Sequence, residues 1–152
     1  MIAIDKGFDE YTVGEKIGRS PGRTITEADV VMFCMFTGNW AQIHSNIEFA
    51  RKAHFGQRLV QGSLVFAVMA GLVHLGPTIS AGYGFDKVRF LKPVFFGDTI
   101  YLEPEVLRLK PKDEKHGVGT FLMRALNQRD ELVQSNEFSV LLLRKRSDVP
   151  RD

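Results

Sequence analysis

The chain reads as an α+β fold in which an antiparallel sheet wraps around a long central helix. Two observations carry that reading. From Leu64 to Leu75, within the stretch Gln61–Gly76, every residue is apolar or Gly except His74. A helix that is apolar on all sides has no face for water, so it belongs inside a domain. Beyond Pro77 the hydrophobic period drops to two, as in Phe138, Val140 and Leu142 alternating with Ser139, Leu141 and Leu143, which is the signature of strands. One apolar sheet face and one helix that needs cover all round pack most simply with the sheet curled about the helix. A layer of four or five strands leaves part of such a helix bare, so a second copy of the chain is expected to complete the cover, giving a homodimer or a dimer of dimers.

With 152 residues, 44% of them hydrophobic, the chain holds a real core, and residues 1–152 read as a single domain. The first 25 residues form an extended arm punctuated by Gly14, Gly18, Pro21 and Gly22, and residues 145–152 read as a flexible tail. Thr26-Glu27-Ala28-Asp29 resembles a capping box, with Thr26 as N-cap and Asp29 in the third helical position. A helix follows through Val30, Phe33 and Cys34 and stops at Gly38. Asn46 caps a second short helix over 47–53, and His54–Arg58 is a turn before the central helix. Strands are expected at Val88–Leu91, Thr99–Lys110, Val118–Asn127 and Leu132–Arg144, the last three joined by short polar turns into a meander. Pro104 breaks the phase of its strand and marks a bulge or an edge.

Several function classes fall away on composition. The net charge is +2 with basic residues scattered, so no nucleic-acid footprint is expected. The apolar run of twelve residues is short of the ~18 that a spanning helix needs, so no membrane partner is expected. Cys34 is the single cysteine. It excludes an internal disulfide, and among Val31, Phe33 and Phe36 it reads as a small buried hydrophobe. The N-terminus lacks a charged-then-apolar leader pattern, which makes the cytoplasm the expected location. No His, Cys, Asp and Glu grouping has metal-ligand spacing, and Gly82-Tyr83-Gly84 lacks the third glycine of a dinucleotide fingerprint.

Chemistry concentrates in two stretches. In Thr37-Gly38-Asn39-Trp40-Ala41-Gln42-Ile43-His44, His44 is the candidate general acid or base, and Asn39 offers an amide that donates and accepts but carries no exchangeable charge. A structural histidine bonded to a loop, and a turn asparagine after Gly38, are the alternatives. Gly62 and Ser63 stand where the first backbone N–H groups of a helix lack partners, a setting that favours an oxygen with negative charge. A plain helix start is the alternative there. His74, on the central helix, reads as a core or interface histidine, and His54 and His116 as solvated turn residues.

These residues match a family. Thr37–His44, then Glu48-Phe49-Ala50, Phe55-Gly56, Gln61-Gly62-Ser63 and Arg89–Asp98, resemble the hydratase segments of MaoC-like proteins, the hot-dog-fold (R)-specific enoyl-CoA hydratases and dehydratases. The resemblance implies a hot-dog fold, a homodimer, an acyl-CoA thioester as partner, and no cofactor beyond the coenzyme A that arrives as part of the substrate. It implies reversible hydration of a 2-enoyl-CoA, with His44, Asn39 and Gly62 at the catalytic positions and Trp40, Ile43, Phe55, Gln61 and Ser63 lining the substrate site. The family motif is Ser/Thr-Gly-Asp-x-Asn-Pro-x-His. Here Asn39 stands at the Asp position, Ala41 at the Asn and Gln42 at the Pro, while His44 is kept. The missing carboxylate leaves open a protein that holds an acyl-CoA without converting it. A thioesterase is a third option, and it would need Glu48 or Asp86 as its carboxylate.

Overall fold

The computed structural model describes residues 2–150. In chain order the elements are β1 (Ile2–Ile4), β2 (Arg23–Thr24), α1 (Glu27–Thr37), α2 (Gln42–Ser45), α3 (Ile47–Lys52), α4 (Gly62–Gly71), β3 (Val73–Leu75), β4 (Ile79–Phe90), β5 (Thr99–Pro111), β6 (His116–Leu126) and β7 (Leu132–Leu143). Five strands make an antiparallel sheet in the order β2-β5-β6-β7-β4, and β1 pairs with β3 in a separate parallel ladder. The inner face of the sheet packs on α4 through rows of register partners. Phe85, Phe138, Phe121 and Val106 form one row, and Phe90, Gln134, Ala125 and Leu102 another. Leu64, Val65 and Met69 are the buried residues of α4 that meet this face.

The local signals explain the helices. Thr26 Oγ1 accepts from the Asp29 amide while the Asp29 carboxylate accepts from the Thr26 amide at 2.7 Å, so both orphan donors of the first turn are met. Gly38 closes α1 in the left-handed conformation at φ 73°, which a residue with a Cβ adopts only at a cost. The Asn46 side chain accepts from the Phe49 amide and starts α3.

Two boundaries differ from the sequence reading. The central helix ends at Gly71, and Val73–Leu75 is a strand beside the N-terminal arm, so His74 is an exposed strand residue. Gly76 then donates to the Ile4 carbonyl at 2.9 Å, and a Cβ there would fall 2.4 Å from that of Asp5. A uniformly apolar run carries no period, so helix and strand within it cannot be told apart from sequence. The first long strand begins at Ile79, nine residues before the expected Val88. Register shifts at 79/81, 82/84 and 86/89 break the alternation that would have marked it.

Pro104 lies neither on an edge strand nor at a bulge, since β5 runs between β2 and β6 and the arm pairs beside it. Its carbonyl accepts from the Ile17 amide of the arm, so its missing N–H falls on the outer side of β5, away from the β6 ladder. Of the expected tail, Arg146–Asp148 forms a 3₁₀ turn with Arg146 paired to Asp5 at 2.9 Å, while 151–152 lie outside the described residues.

The β6–β7 turn is held by Glu131. Its carboxylate accepts from the Asn127 amide, from Lys92 and from Arg129 at 2.8–2.9 Å, and these bonds, Asn127 first, pull its pKa from 4.5 down to about 2. The folded chain therefore favours the ionised form. The stability this confers is complete above the unfolded value and is lost as pH falls from there toward the folded one. Chemical unfolding should show Glu131→Gln less stable than the parent at neutral pH, with the gap closing between pH 4.5 and about 2. A gap unchanged over that range would show that the carboxylate's charge does not matter.

Candidate active site

A cleft of about 320 Å³ opens at the N-terminal end of α4, and His44, Phe55, Gly62, Phe90, Lys92 and Gln134 are among the residues that line it. Three segments build its walls. The α2 turn presents His44. Leu59 and Val60 run beside it, with the Leu59 amide donating to the Ile43 carbonyl at 3.1 Å and the Val60 amide to the Val94 carbonyl at 2.9 Å. Leu91 and Lys92 are anchored on β7 through the Val133 carbonyl.

His44 is oriented by one bond. Its Nδ1 lies 2.8 Å from the Leu59 carbonyl oxygen. A carbonyl can only accept, so in the neutral ring Nδ1 carries the proton and Nε2 presents a lone pair. Across the cleft, the Leu64 and Val65 amides turn back to the Gln61 carbonyl, whereas the Gly62 and Ser63 amides meet no protein acceptor among the described residues. His44 and the unpaired Gly62 amide thus line one hollow. Such a pair can move a proton and stabilise an oxyanion.

Of the sequence candidates, the structure brings His44, Gly62 and Phe55 to this cleft. Asn39, Trp40, Ile43, Gln61 and Ser63 do not border it. The reason is the short helix α2. It turns His44 toward Leu59 and leaves Asn39 and Trp40 on the exposed approach, with Asn39 Oδ1 facing the Ala41 amide at 3.4 Å. Ile43 contributes its carbonyl to the Leu59 amide, not a side chain to the cleft. Gln61 is buried behind the helix start, donating to the Cys34 sulfur at 3.0 Å, and Ser63 faces outward. Glu48 is exposed and paired with Arg51, and Asp86 is exposed on β4. No carboxylate is among the lining residues of this chain's cleft.

Phe90, Lys92 and Gln134 were missed as site residues. The Phe90 ring rests on Gly62, where a Cβ would fall 2.7 Å from it. Phe90 and Gln134 are register partners on the inner face. Gln134 shares the phase of Phe138, Val140 and Leu142, so its inward placement was legible in the alternation. Both polar atoms of its side chain are buried without a partner among the described residues, and each such group costs about 1–3 kcal/mol unless something meets it. Lys92, the cation of the lining, is held by Glu131.

Comparison with known proteins shows the family. Residues 9–124 match the family model described as the MaoC like domain. The chain is 30% identical over 124 residues to the beta-methylmalyl-CoA dehydratase of Chloroflexus aurantiacus, covering 81% of this chain and 35% of that protein. Among solved structures, it superposes on a monoamine oxidase regulatory protein from Archaeoglobus fulgidus with a TM-score of 0.85 and 36% identity, covering 93% and 96% of the two chains. The (R)-hydratase PhaJ1 of Pseudomonas aeruginosa matches with a TM-score of 0.73 and 26% identity, covering 91% and 86%. The chain spans about a third of the length of the first curated relatives it matches. No helix of the described residues is long and apolar enough to cross a membrane.

The histidine geometry is directly testable. In ¹⁵N spectra of the neutral ring, His44 should show a protonated Nδ1 and a bare Nε2. The opposite tautomer would leave no lone pair facing the cleft and would remove His44 as a base.

Proposed function

Since the chain belongs to the MaoC-like dehydratase family, whose fold is the hot-dog, we propose that it catalyses the reversible hydration of a 2-enoyl-CoA to the 3-hydroxyacyl-CoA. The observation that carries this reading is the free Nε2 of His44 and the unpartnered amide of Gly62 lining one cleft. His44 Nε2 takes a proton from a water whose oxygen attacks C3 of the enoyl thioester. The electron pair of the double bond moves onto the thioester oxygen, which the Gly62 N–H meets as it gains charge. A proton from the imidazolium to C2 then completes the addition, so water is consumed and the histidine returns to its neutral form. Coenzyme A enters only as part of the substrate. Asn39, exposed and outside the cleft lining, carries no proton to transfer and is read as a position that orients water at most. The beta-methylmalyl-CoA dehydratase and (R)-hydratase relatives support this class of chemistry.

The active form proposed is a homodimer, with each chain one hot-dog unit. Ser63, Ala67, Ala70 and Gly71 leave one face of α4 exposed, and Tyr83 and Phe85 stand out on β4. The second edge of β4 pairs with no strand among the described residues. A second copy laid against this face would cover the helix and pair the edge. Sedimentation should give twice the chain mass, and Ala70→Glu should shift it toward the monomer. A parent protein that sediments as a monomer at micromolar concentration overturns the assembly.

A panel of 2-enoyl-CoAs of increasing chain length tests the activity. His44→Ala should lower kcat/KM by about 10²–10⁴-fold, whereas Asn39→Asp, at a position outside the cleft lining, should leave it within a few-fold of the parent. No turnover by the parent protein with any chain length, alongside thermal stabilisation by acyl-CoA that is recovered unchanged, would instead identify an acyl-CoA-binding protein that does not convert its ligand.

A further inference from the structure

We propose that the cleft selects acyl chains bearing an uncharged oxygen, a hydroxyl or a ketone, a few carbons beyond the thioester, and that Gln134 is the residue that reads it. The inference rests on the reading of the cleft as a thioester site. Gln134 is 1% exposed, lines the same cleft as His44 and Gly62, and has neither its Nε2 nor its Oε1 paired among the described residues. Its neighbours along the sheet row are Phe90, Ala125 and Leu102, which offer carbon and no polar atom. The carboxamide is buried in the single chain, and among the described residues the opening that Gln134 borders is this cleft. What meets it enters through the cleft.

The chemistry of the partner follows from charge. A carboxamide donates and accepts but holds no charge, and Lys92 is already held by Glu131. A buried carboxylate would therefore lack a counter-ion and would carry its desolvation uncompensated. A plain alkyl chain would leave both amide atoms unmet. A site built to hydrogen-bond a substrate oxygen discriminates strongly against the analogue that lacks it. A hydroxyl, which both donates and accepts, fits both atoms in turn.

The test uses a pair of substrates that differ only by CH₃ against OH, trans-2-hexenoyl-CoA and 5-hydroxy-trans-2-pentenoyl-CoA, with glutaconyl-CoA as the charged member. The parent protein should favour the hydroxylated substrate by about 10-fold or more in kcat/KM. Gln134→Met, close in volume, should reverse that order. Calorimetric titration with hexanoyl-CoA and 5-hydroxypentanoyl-CoA reads the same preference without turnover. A binding preference for the hydroxylated ligand with no turnover removes the hydratase reading and leaves this inference standing. Turnover of hexenoyl-CoA without preference for the hydroxyl leaves the hydratase and overturns the inference. So does a best response to glutaconyl-CoA, or a Gln134→Met change that moves both substrates alike. The comparison on the parent protein decides the matter even if the variant fails to fold.

Discussion

The bond from His44 Nδ1 to the Leu59 carbonyl at 2.8 Å is the join on which the site depends. Leu59 also donates to Ile43 and leads through Val60, which is tied to Val94, into the start of α4. One hydrogen bond therefore registers the imidazole against the helix N-terminus and fixes which nitrogen faces the cleft. A free imidazole would choose its tautomer by solvent. Here the backbone chooses, and the choice makes the ring a base directed at the hollow.

The hollow itself is a departure from good packing. Interiors are dense, and buried polar groups are normally paired. Around this cleft the rule is broken on several counts. Two amides at the α4 start and both ends of the Gln134 carboxamide lack partners, and Oε1 of Gln61, behind the helix start, is also unmet. Away from the cleft Glu137 is paired, its carboxylate meeting Lys87 and Arg108, while Asn136 Oδ1 and Thr78 Oγ1 are also unmet among the described residues. Polar groups left open together beside a cleft are what a site for a partly polar ligand requires.

The exposed side of α4 has a related origin. The sheet curls over Leu64, Val65 and Met69 but does not reach Ala67 and Ala70. A helix of that composition is stable only where its remaining face is also dry. The small residues on that face suit close approach by another chain.

The sequence alone determined much of this, because its signals were local. The capping residues Thr26 and Asn46, the left-handed stop at Gly38, and the alternation in β5, β6 and β7 each depend on neighbours a few residues away, and each was legible. His44 and Gly62 were legible as site residues because the family motif marks them. Only the tertiary structure decided where the apolar stretch stops being helix, because Val73–Leu75 becomes a strand by pairing with an arm about seventy residues earlier. It also decided that Gln134, Phe90 and Lys92 border the site while Asn39, Trp40 and Gln61 do not. Those positions are set by register across the sheet and by the turn of α2, long-range contacts that no window of sequence contains.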